Sequence, residues 1–136
     1  MSVKEQYGNL VVRSFVADAS GSEVDTIAIG SNSDTTRHIV EVENWSTIPY
    51  DVLVKVVLPQ GTRRLSFSGA ADNWEADISS LAENETEQAE ESISASGSTA
   101  GKERVHCTAV KWKKAKRHRW THATNGLPLC LFVTVE

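Results

Sequence analysis

The sequence is poor in cysteine, methionine and proline. It has two cysteines, one methionine and three prolines among 136 residues. Two cysteines match no zinc motif and cannot form a network of disulfides, so the fold must depend on an apolar core. A chain of this length can bury about two thirds of its unfolded surface, which is enough for one such core. We therefore expect one domain over residues 1–136, with no metal and no cofactor.

Long hydrophobic runs are also missing. No apolar stretch approaches the length needed to cross a bilayer, so neither a transmembrane helix nor membrane insertion is expected. Residues 1–14 carry no extended apolar segment, and we expect no signal peptide. These two expectations favour a cytoplasmic or virion-associated protein.

The residues that are abundant favour β-strands. The chain has 15 Val, 6 Ile and 11 Thr against 8 Leu, and β-branched side chains fit the surface of a pleated sheet. Seven or eight short strands separated by turns predict an all-β fold, an antiparallel β-sandwich. The predicted strands are 9–18, 24–29, 35–45, 50–58, 63–68, 73–81, 103–112 and 127–136.

Residues 80–93 are ambiguous. Ser80 and Glu83 have the spacing of a capping box, which could begin a helix. The segment has too few apolar residues for a helical stripe, however. We favour a loop followed by an edge strand.

Residues 39–86 carry a recognisable order of features. An alternating strand ends in Asn, a turn follows, an apolar strand closes in Leu-Pro-x-Gly, and a strand with Trp comes next. The positions that carry this pattern are Val42, Asn44, Val54, Val56, Leu58, Pro59, Gly61 and Trp74. The segment resembles the Ig-like repeats of the cell-adhesion-related family found in bacteria and archaea. The resemblance implies an Ig-like sandwich with a spacer or binding role, and it supplies no catalytic residues.

Charge is divided into two blocks of opposite sign. Residues 72–91 hold eight carboxylates and no Lys or Arg, whereas residues 102–119 hold eight Lys or Arg and one carboxylate, Glu103. The net charge of −4 argues against a chain that is basic all over. If the acidic block of one subunit meets the basic block of the next, the contact produces a ring or a filament. The candidate residues of an acidic partner face are Glu83, Glu85, Glu87, Glu90 and Glu91.

The basic block is flanked by tryptophans, and cations on both faces of a strand cannot all lie against a core. A protruding hairpin over 111–126 would expose them, with Asn125-Gly126 as a strong turn signal. Three interpretations stay open: a solvated edge that resists strand pairing, contact with an acidic protein surface, or binding of nucleic acid. The candidate residues for contact with a partner or polyanion are Lys111, Trp112, Lys113, Lys114, Lys116, Arg117, Arg119 and Trp120.

The cysteines, and the histidines at 38 and 106, are expected to have structural rather than catalytic roles. Cys107 and Cys130 are interpreted as buried side chains in neighbouring strands, with a disulfide as the alternative. His38 and His106 are expected to be half-buried strand residues. We expect Trp45 in the core or at its rim.

No catalytic motif stands out. The chain has no G-x-S-x-G elbow, and the glycines at 97 and 101 are too close together for a phosphate loop. His118 and His122 lie among cations that would repel a metal ion. The sequence therefore predicts a non-enzymatic binding or assembly module that acts through protein–protein contacts, such as a structural component of a virion, an appendage or a larger complex. The alternative is binding of nucleic acid or another polyanion through residues 111–120.

Overall fold

Strands make up almost all of the regular structure in the computed structural model, which describes residues 2–29, 36–57, 74–93, 95, 97–124 and 128–136. Within these ranges lie eleven strands and one short 3-10 helix, Gly97–Thr99. Eight of the strands are longer than two residues. In chain order the strands are β1 (Ser2–Tyr7), β2 (Leu10–Asp18), β3 (Glu23–Val24), β4 (Thr26–Ile27), β5 (Thr36–Asn44), β6 (Tyr50–Val57), β7 (Trp74–Leu81), β8 (Thr86–Ile93), β9 (Glu103–Lys114), β10 (Thr121–His122) and β11 (Leu129–Val135).

Two sheets form the fold. Sheet I has the order β1-β2-β5-β8, with β3 paired to β2, and all its pairs are antiparallel. Sheet II has the order β4-β11-β9-β6-β7, with β10 paired to β9. Its pairs are antiparallel except for β4 and β11, which run parallel. The predicted all-β, sandwich-like fold is confirmed.

The main core lies between the two sheets. Alternation along each strand sends every second side chain inward, and complete burial of a Val or Leu side chain contributes about 1.5–3 kcal/mol to stability. Leu65 and Phe67, which the same alternation assigns to the core, lie outside the described residues. The expected core residues that are buried are Val40, Val42, Val54, Val56, Leu129, Leu131 and Val133.

Several strand boundaries differ from the prediction. Residues 24–29 do not form one strand, because β3 pairs with β2 in sheet I while β4 lies beside β11 in sheet II. The edge strand expected within 80–93 is present as β8. The predicted strand over 63–68 and the turn at 125–126 lie outside the described residues. None of the helices in the described ranges is long and apolar enough to cross a membrane.

Cys107 and Cys130 form a disulfide between β9 and β11. The two residues are directly opposite each other in the antiparallel register, with Cα atoms 4.1 Å apart. Directly opposite residues on antiparallel strands bring their Cβ atoms within bonding range of a disulfide. The favoured interpretation of two unpaired thiols is therefore wrong, although the strands are neighbours as expected.

Candidate interaction surface

The basic block folds into a hairpin at one end of sheet II. β9 continues to Lys114, and β10 pairs back with Thr121 opposite Trp112. In the turn, the Arg117 backbone N–H donates to the Lys114 carbonyl over 3.0 Å. Lys116 has a φ of 67°, a left-handed conformation that is uncommon for a residue other than glycine. We refer to residues 111–122 as the basic hairpin.

Trp120 is held between two lysines on the outer face of sheet II. The Nζ atoms of Lys111 and Lys113 lie 5.1 and 5.0 Å from the centroid of its ring. Each such cation–π contact is worth about 0.5–1 kcal/mol at an exposed site. The indole therefore fixes two ammonium groups on the surface of the basic hairpin.

Trp112 faces the opposite way. Its ring stacks on Tyr50 with centroids 4.2 Å apart and 15° between the ring planes, and it packs against the main core. Trp112 is thus a core-edge residue, and Trp120 is the tryptophan of the outer face. Among the other predicted contact residues, Lys111 and Lys113 are half-buried, and those that are exposed are Lys114, Lys116, Arg117 and Arg119.

The five carboxylates of the predicted acidic face are all exposed, but they do not share one face. Glu83 and Glu85 lie in the turn between β7 and β8, residues 82–85, which we call the acidic turn. Glu90 lies on the outer face of sheet I, where Arg37 Nη1 is 3.0 Å from its Oε1 atom. Glu87 lines a groove of about 310 Å³ between β7 and β8, and Glu91 lies farther along β8.

Residues 45–49, which we call the end loop, connect β5 to β6 across the end of the sandwich and were not predicted as part of the site. Trp45 is 52% exposed and Ile48 is 36% exposed. The alternation of Val40, Val42 and Asn44 toward the interior gives Trp45 the outward orientation of Glu43, whose carboxylate accepts its indole N–H. That alternation was the signal in the sequence that could have identified an exposed tryptophan.

A polar cluster lies between the two sheets. His38 Nε2 is 2.7 Å from Ser14 Oγ, and the rings of His38 and His106 have centroids 5.0 Å apart. Trp74 meets His38 edge-on at 5.6 Å. Both histidines are fully buried rather than half-buried as expected, because the facing strands β5 and β9 point them at each other.

This cluster is only partly hydrogen-bonded. Within the described part of the chain, buried polar atoms without a hydrogen-bond partner include His38 Nδ1, His106 Nε2, Trp74 Nε1 and Thr108 Oγ1. A buried polar atom without a partner destabilises a folded protein. The interior therefore contains a polar region whose stability depends on the two histidines being uncharged.

Burial also sets the protonation of the histidines. It lowers the pKa of His38 to about 3, with a smaller effect of His106 in the same direction. It lowers the pKa of His106 to about 4, with a smaller effect of Arg104. A serine–histidine nucleophile needs access to substrate and a base that titrates near the working pH. Ser14 and His38 are enclosed between the sheets, and a pKa of about 3 makes His38 a weak base at neutral pH.

Within the described ranges, no three His, Cys, Asp or Glu side chains come together as ligands for a metal ion. His118 and His122 are exposed on the basic hairpin.

Comparison with known proteins gives no match, since no family model, no curated protein and no solved structure matches the chain.

Proposed function

We propose that the protein is a non-enzymatic binding and assembly module that attaches to an acidic protein surface through the basic hairpin. The observation that carries this proposal is the arrangement of cations around Trp120, with Lys114 and Arg117 exposed at the turn. A half-buried aromatic residue flanked by cations on the outer face of a sheet has the composition of a protein-contact hot spot. A structural component of a virion, an appendage or a larger complex would use such a surface.

The contacts of the two tryptophans favour a protein partner over nucleic acid. Binding of single strands relies on aromatic faces that are free to stack on bases. Trp112 already stacks on Tyr50, and two ammonium groups lie over the ring of Trp120.

For the fold, we propose an Ig-like arrangement of the sandwich. In immunoglobulin-type domains strand B pairs with strand E, while strands C, F and G are neighbours. The pairing of β5 with β8, and the order β6-β9-β11, support this assignment. β7 pairs with β6, as strand C′ pairs with C in variable-type domains. The resemblance of residues 39–86 to cell-adhesion-related repeats is used here only for this proposed fold.

The function is tested with two labelled anionic probes, a polyglutamate peptide and a single-stranded DNA of equal charge. We expect the protein to bind polyglutamate more tightly at low salt, with affinity falling as salt screens exposed charges beyond about 8 Å. Fluorescence anisotropy of each probe measures the binding. The double variant Lys114→Glu, Arg117→Glu should lose it.

The matched control for this test is Lys4→Glu, Lys102→Glu, because both residues are exposed and lie outside the hairpin, and the total change in charge is the same. This variant should bind polyglutamate nearly as well as the unmodified protein. Tighter binding of DNA than of polyglutamate would replace the proposal with the nucleic-acid alternative. If neither probe binds, the hairpin is only a solvated end and the proposal is wrong.

A further inference from the structure

The basic hairpin and the acidic turn lie at the same end of the sandwich. Tyr50, at the start of β6, is opposite Lys114 of β9 on one side and Leu81 of β7 on the other. Neighbouring strands are about 4.8 Å apart, so the backbones at Lys114 and Leu81 are about 10 Å apart. The basic hairpin and the acidic turn therefore meet the solvent side by side.

The end loop lies between these two charged segments and contacts both. The backbone N–H of Ala115 donates to the Pro49 carbonyl over 3.2 Å, which ties the loop to the basic hairpin. Asn44 Nδ2 donates to the carbonyls of Ile48 and Leu81, each over 2.8 Å, and this ties the loop to the end of β7. The loop that carries the exposed side chains of Trp45 and Ile48 is thus held between the basic hairpin and the end of β7 that leads into the acidic turn.

We propose that this end of the molecule binds a second copy of the chain around a two-fold axis that passes near the end loop. The proposal rests on the proposed function, because the basic hairpin supplies the cations. In a two-fold contact both copies use the same surface patch, and each residue pair that forms across the interface forms twice, so one self-complementary patch is sufficient. The basic hairpin of each copy faces the acidic turn of the other, and this contact occurs twice.

The position of the two charged segments explains why the contact joins two copies and does not continue to a third. Blocks on opposite ends of the molecule would link subunits head to tail into a ring or filament, as the sequence suggested. The basic hairpin and the acidic turn lie on the same end and are both used within one pair, so neither is left to bind a third copy. Trp45 and Ile48 of the two copies lie near the axis, where buried aromatic and aliphatic anchors contribute most to binding. The surrounding charges set orientation and speed of association.

Sedimentation velocity of the full chain at low and high salt tests the proposal. We expect a dimer at low salt that dissociates as salt is raised. Trp45→Ser should raise the dissociation constant of the dimer at least about tenfold, the effect of losing an interface anchor. Phe132→Ser is the matched control, because Phe132 is also 52% exposed but lies on β11, and it should leave the dimer unchanged.

A charge exchange tests the two-fold arrangement itself. The variant Lys114→Glu, Arg117→Glu and the variant Glu83→Lys, Glu85→Lys should each be monomeric, and their equimolar mixture should form a discrete heterodimer. A mixture that sediments as larger assemblies would overturn the two-fold axis. An unmodified chain that stays monomeric at low salt and high concentration would overturn self-association. Binding of polyglutamate by that same monomeric chain would show that the proposed function survives this failure.

Discussion

His38 and His106 make the interior sensitive to acid. Their pKa values in the folded chain are about 3 and about 4, below the value of about 6.5 for an unfolded histidine. As the pH falls below about 6.5, the unfolded chain takes up protons first, so the free energy of unfolding decreases. We expect a loss of about 1.4 kcal/mol per pH unit for each histidine between about pH 6 and 4.5. Guanidinium unfolding across this range measures it.

The contribution of one histidine can be separated from that of the carboxylates. His106→Gln keeps a polar side chain of similar size that does not titrate, and it should reduce the slope by about 1.4 kcal/mol per pH unit. His118→Gln is the matched variant, because it removes an exposed imidazole of the basic hairpin instead of a buried one. Equal slopes in all three proteins would mean that the buried histidines do not govern acid stability.

At the scale of one strand, β6 is the element in which we expect a polar substitution to destabilise the fold most. It lies between β7 and β9 in sheet II, and Val54 at its centre is fully buried. Val54→Asp places a carboxylate without a partner in the apolar core, which should cost more than about 4 kcal/mol and abolish cooperative unfolding. Circular dichroism during heating measures the effect. Thr134→Asp, at an exposed position of β11, should melt close to the unmodified protein.

Alternation made the long strands predictable. Residues such as Val40 and Val42 repeat at the two-residue period of a sheet, and that period needs no tertiary information. The same signal fails for β1, whose residues between Val3 and Tyr7 are all polar and exposed, and which is fixed by its pairing with β2. Burial of His38 was not predictable either, because its partner Ser14 comes from a strand 24 residues earlier.

The site was predictable in composition but not in position. The sequence identified both charge blocks, and every residue of the predicted acidic face is exposed. The meeting of the basic hairpin and the acidic turn at one end depends on β6 lying between β7 and β9, and this pairing joins residues far apart in the chain. Local patterns carry no information on such contacts. The end loop was missed for the same reason, since its importance comes from the neighbours that flank it.

At the scale of the whole molecule, the disulfide contributes mainly by restricting the unfolded chain. Cys107 and Cys130 are separated by 23 positions, and closing a loop of that size stabilises a protein by about 3 kcal/mol. Cys107→Ala, Cys130→Ala should lower the melting temperature, as should a reductant added to the unmodified protein. The same reductant should have no effect on the double variant. A chain whose melting temperature is unchanged by either treatment would contradict this contribution.

The disulfide also determines how the molecule carries mechanical load. Residues 108–129 lie between the two bonded cysteines, and the basic hairpin lies within this segment. Tension along the chain enters at Cys107 and leaves at Cys130 through the covalent bridge, so the enclosed segment is not stretched. In an assembly under strain, β-strands outside the bridge would extend first. The basic hairpin would stay unstretched until the bridge itself is reduced.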